Sequence, residues 1–75
     1  MTVESIAKIY VACVELEECA QRESPHLAED LSVMRADLHA LLMETLRQAG
    51  VPFADRADAA RIAFEITSGH HPAVR

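Results

Sequence analysis

The sequence predicts an all-α fold, a small helical bundle, from three observations. Apolar residues recur at spacings of three and four through most of the chain, the period of one helix face. The apolar content, 51% of the residues, is rich in the helix formers alanine and leucine, with 4% aromatic residues. No stretch alternates with the period of two that marks a half-buried strand. The expected architecture is an antiparallel helical hairpin (residues 3–21 and 25–49) plus a shorter third helix (56–68). All 75 residues form a single small domain, with a flexible tail from about residue 69.

The central element is the second helix. Ser24 stands at its N-cap, Pro25 suits the first helical position, and Gly50 can take the left-handed conformation that closes a helix. Between them Leu27, Leu31, Met34, Leu38, Leu41 and Thr45 form one narrow stripe, widened by Leu42, Leu46 and Ala49. A weaker apolar strip, Val33, Ala36, Ala40 and Met43, runs along its far side.

Thr2 can cap the first helix. Val3, Ile6, Ala7, Ile9, Tyr10, Cys13, Val14, Leu16 and Ala20 occupy half of its circumference, with Glu4, Lys8, Glu15, Glu18 and Arg22 opposite. Glu17 breaks the pattern by falling inside the apolar arc. The short turn at residues 21–24 sets the two helices side by side, a register that brings Glu17 to Arg35, Cys13 to Leu38 and Leu16 to Leu31 and Met34. In the connection that follows, Phe53 plugs the end of the core. Asp55 caps the third helix, where Ala57, Ala59, Ala60, Ile62, Ala63, Phe64 and Ile66 spread over more than half the surface.

Composition narrows the chemistry. Twelve acids against seven bases give a net charge of −5, which opposes phosphate contacts, so no direct nucleic-acid binding is expected. No apolar run approaches the length of a membrane span and no signal peptide is recognisable, so the expectation is a cytoplasmic protein with no membrane partner. Cys13 and Cys19, six residues apart on one helix, point in separate directions and form no disulfide. Zinc-type ligand pairs are missing, and Glu23 with His26 is split by Ser24 and Pro25, so no metal or cofactor is expected. His39 reads as a boundary residue, and His70 and His71 as solvated tail residues. Nucleophilic catalysis is not expected either, because a buried Cys13 is inert, acids around Cys19 disfavour its thiolate, and no phosphate-cradling glycine loop exists.

The leucine-rich helix, Ala49-Gly50-Val51 and the Ile62/Ile66 helix resemble the dimerisation half of the Mor/C phage transcription activators over the last forty residues. The glycine-rich turn, the strand and the DNA-binding domain of that family have no counterpart in this sequence, so membership is not claimed.

What remains is a protein–protein interaction module of bacterial or phage type, regulatory or inhibitory. The alternatives are a structural oligomerisation subunit and an acidic nucleic-acid mimic. Glu15, Glu17, Glu18, Glu23, Glu29 and Asp30 gather near one tip of the expected hairpin and would meet a basic partner surface. Self-association into a homodimer is expected through Val33, Ala36, Ala40, Met43, Ala57, Ala60 and Phe64, because a chain this small buries little apolar surface alone.

Overall fold

The computed structural model describes residues 1–71, and among these every regular element is helical: α1 (Val3–Glu23), α2 (Pro25–Gln48) and α3 (Arg56–Thr67). The caps explain the boundaries. Thr2 Oγ1 accepts from the Ser5 N–H at 3.1 Å and opens α1. Pro25 disfavours helical geometry in the residue before it, and Ser24 is accordingly extended (φ −151°, ψ 90°). That single residue divides what would otherwise run on as one helix. The Ser24 N–H still donates to the Ala20 carbonyl at 2.7 Å, so α1 continues past residue 21 to Glu23. Ser24 holds the N-cap position of α2, but its side chain makes no capping bond.

Gly50 (φ 74°) and Gly69 (φ 75°) end α2 and α3 with the same device. The Gly50 N–H donates to the Arg47 carbonyl and the Val51 N–H to the Leu46 carbonyl; Gly69 and His70 repeat this on Ile66 and Glu65. Residues 72–75, most of the expected flexible tail, lie outside the described residues.

α3 opens on a reciprocal pair of capping-box type. Asp55 Oδ1 accepts from the Asp58 N–H while Asp58 Oδ2 accepts from the Ala54 N–H, both at 2.8 Å. Arg61 then bridges Asp58 and Glu65 along the exposed side. In the preceding loop Phe53 is half-buried against the core, with the Arg47 guanidinium 5.3 Å from its ring centroid.

The core has two parts. Ile6, Ala7, Tyr10 and Val11 of α1, Leu42 and Leu46 of α2, and Ala59, Ile62, Ala63 and Ile66 of α3 make the main cluster. Cys13, Ala20, Ala28 and Leu31, with Leu38 packed against them, make a smaller one between α1 and α2 alone. His39 joins the three helices. Its Nε2–H donates to the Arg56 carbonyl at the start of α3 (2.8 Å), and the Tyr10 ring of α1 meets its ring edge-on at 5.2 Å. It is buried, not a boundary residue.

The packed line of α2 is rotated from the expected stripe. Ala28, Leu31, His39, Leu42 and Leu46 are buried, whereas Leu27, Met34 and Leu41 are 51%, 53% and 43% exposed. The buried line is the side of α2 that meets both neighbours, α1 through Arg35 on Glu17 and α3 through His39, Leu42 and Leu46. On α1, Leu16 and Ile9 are likewise exposed (58% and 44%), while Val11, outside the expected arc, is buried near α3.

Two outcomes are expected. Leu42→Ala should lower unfolding stability by about 2–5 kcal/mol, because Leu42 is fully buried. The neighbouring Leu41→Ala should cost less than about 1 kcal/mol; urea denaturation of both variants measures the contrast. The second concerns Asp58, whose carboxyl is held below its ordinary value of 3.8, first by the Ala54 N–H and then by Arg61. A depressed folded-state pKa contributes stability above the unfolded value, lost as pH falls through the folded one. Amide protection in the first turn of α3, taken relative to the intrinsic exchange rate at each pH, should therefore fall below about pH 4, and Asp58→Asn should remove most of that dependence.

Candidate interaction surface

Among the described residues every buried polar side chain has a hydrogen-bond partner. Arg35 donates from Nε to Glu17 Oε1 in a close ion pair, as the sequence register anticipates, and Gln21 Nε2 donates to the other Glu17 oxygen at 3.4 Å. The bond to Glu17 is the main reason the Arg35 guanidinium is pushed above its ordinary range. Cys13 Sγ lies 3.6 Å from the Leu31 carbonyl, and burial, then the Glu17 charge, push its thiol up, with Arg35 opposing. A raised thiol pKa in a closed site disfavours the nucleophilic thiolate. Both cysteines are free, and Cys19 is exposed with Sγ 3.9 Å from Glu23 Oε2.

The six acids of the expected tip do not all share an exposed surface. Glu15, Glu18, Glu23, Glu29 and Asp30 are exposed, but Glu17 is turned inward onto Arg35. Among the described residues no three His, Cys, Asp or Glu side chains are grouped to hold a metal ion. No described helix is long and apolar enough to cross a membrane.

The most distinctive surface is apolar. At about 100° per residue, positions seven apart on a helix lie nearly in line. Ile9 and Leu16 form such a line on α1, and Leu27, Met34 and Leu41 a second on α2. The α1 residues in the three-helix core, Ala7 and Val11, lie on the other side of the line that meets α2, as does Met43 on α2. The exposed rows therefore share the face of α1 and α2 that α3 leaves open. At its Ser24 end is a groove of about 330 Å³, floored by Ala20 and Leu31, walled by Leu16 and Leu27, and edged by Cys19 and Glu23. A second depression, about 500 Å³ and more open, lies over the loop at Arg47, Gly50 and Phe53.

Of the residues expected in self-association, Val33, Ala36, Ala40, Ala57 and Phe64 are exposed, whereas Met43 and Ala60 are half-buried against the core of their own chain. Sequence reasoning placed Ile9, Leu16, Leu27, Met34 and Leu41 inside the core. Their seven-residue step does not distinguish them, because the buried Ile6, Cys13 and Ala20 repeat at the same spacing.

Arg35→Ala should destabilise the fold by about 1–3 kcal/mol, below the full value for a buried pair because Arg35 is one-third exposed. Replacing Glu17 and Arg35 together by leucine should recover most of that loss in urea titrations. With a thiol-specific alkylating agent, Cys19 should react in the native state and Cys13 only after unfolding.

No protein-family model, curated protein or solved structure matches the chain. The resemblance to the Mor/C activators therefore rests on the quoted residues alone.

Proposed function

We propose that this chain is a helical protein–protein interaction module, regulatory or inhibitory, that acts by binding and not by catalysis. In this reading α1 and α2 form an antiparallel hairpin whose open face takes up the apolar side of a helical protein surface. The carrying observation is the double row of Ile9, Leu16, Leu27, Met34 and Leu41, all more than two-fifths exposed on one face. Soluble proteins rarely leave such a continuous strip without a partner. The reading is also supported by the disposition of the polar groups: the buried Glu17 and His39 have partners within the chain, and the exposed acids are spread over a solvated end. Glu15, Glu18, Glu23, Glu29 and Asp30 then act as an acidic surround that favours a partner with basic residues beside its apolar stripe. A structural oligomerisation subunit is the second reading, favoured by the same strip.

A photo-crosslinking side chain placed at Met34, and separately at Ala57 on α3, tests the proposal in cells. The expected outcome is a discrete protein adduct from position 34 and none from position 57. Absence of an adduct at position 34 would remove the basis of the reading.

A further inference from the structure

We propose that the occupant of the open face is a second copy of this chain, giving a two-fold, four-helix interface in which α1 of each copy lies on α2 of the other. The inference rests on the interaction-module reading and names its partner. Three features carry it: size, register and charge.

The molecule measures 37 by 21 by 20 Å, so the face spanned by α1 and α2 has an outline on the order of 780 Å². A stable interface buries about 800 Å² on each partner. An isologous contact of that size therefore has to run along the full length of this face.

Within one chain, Tyr10 meets His39, and Ile6 shares a cluster with Leu42. A two-fold axis parallel to the helices keeps this pairing height between copies. Ile9 then faces Leu41 of the second copy, and Leu16 faces its Met34. Both helices carry their exposed apolar residues at seven-residue steps, the repeat that packs four-helix bundles with short crossing angles. Met34, flexible and unbranched, fits the irregular groove beside Leu16.

The flanks choose between the two possible two-folds. Asp30, Asp37 and Glu44 follow the outer edge of α2 at seven-residue steps, all exposed. Lys8 and Arg22 follow the outer edge of α1, with Glu15 between them. Placing α2 on α2 would set the acidic row against itself. Placing α1 on α2 brings Lys8 to Glu44 and Arg22 to Asp30, against two like-charged meetings, Glu15 near Asp37 and Glu23 of the groove edge near Asp30.

Sedimentation equilibrium of the purified chain at tens of micromolar should give twice 8.3 kDa. Met34→Glu should give the single-chain mass with helical circular dichroism retained, and Phe64→Glu should remain dimeric. If Met34→Glu does not fold, Leu41→Gln carries the same test. In a Cys19→Ser background, mixing Leu16→Cys chains with Met34→Cys chains under oxidation should favour the mixed disulfide over either like pair. A wild-type mass of 8.3 kDa overturns the proposal, as does a dimer that survives Met34→Glu or that Phe64→Glu dissociates. The mixed disulfide failing to exceed the like pairs overturns the α1-on-α2 arrangement. A purified monomer together with a cellular adduct of a different protein at position 34 ends only the second-copy assignment. A monomer with no adduct ends the interaction-module reading as well.

Discussion

The length of α3 constrains everything else in this structure. Twelve helical residues rise about 18 Å, against about 32 Å for α1 and 36 Å for α2. One end of the molecule is consequently a three-helix core, where Ile6, Leu42, Leu46, Ile62 and Ile66 are removed from water almost entirely. The other end is two helices thick and cannot enclose large side chains in the same way. It is built from Ala20, Ala28, Cys13 and Leu31, small or slender groups that let two helices approach closely.

The polar residues fit this division. Glu17 and Arg35 lie in the thinner half, where Arg35 keeps a third of its side chain in water and the desolvation cost of the pair stays moderate. His39 lies at the boundary between the halves, in edge-to-face contact with Tyr10 and with a nitrogen on the first turn of α3. The carbonyl it reaches belongs to Arg56, so one side chain of α2 ties the first turn of the third helix to the bundle. The Asp55 and Asp58 caps then hold the chain leading into that turn.

Helix number, caps and stops were legible because each has a local chemical cause. Thr2, Pro25, Gly50, Asp55 and Gly69 act on backbone groups within a few residues of themselves. The Glu17–Arg35 pair was legible too, since a carboxylate inside an apolar arc needs a counter-charge at the matching height. The rotation of α2 was not. Leu27 and Ala28, or Leu41 and Leu42, are nearly equivalent on a hydropathy pattern, and the choice depends on which neighbour must accommodate Arg35 and His39. A pattern of apolar residues on one helix cannot say how many neighbours that helix will have. The outward turn of Leu16, Met34 and Leu41 therefore also reflects where the short α3 packs, an element that begins fifteen or more residues further along the chain.

The one-residue link at Ser24 bears on the order of assembly. Closing a loop that short costs little chain entropy, and the contacts it brings together are near neighbours in sequence. Topologies dominated by such contacts cross low barriers and form early. α3, by contrast, docks onto Ala7, Val11, Leu42 and Leu46, residues that share one surface only after α1 and α2 have met. This topology therefore favours a local collapse at the Ser24 end before α3 docks at the other, where His39 and Tyr10 meet it.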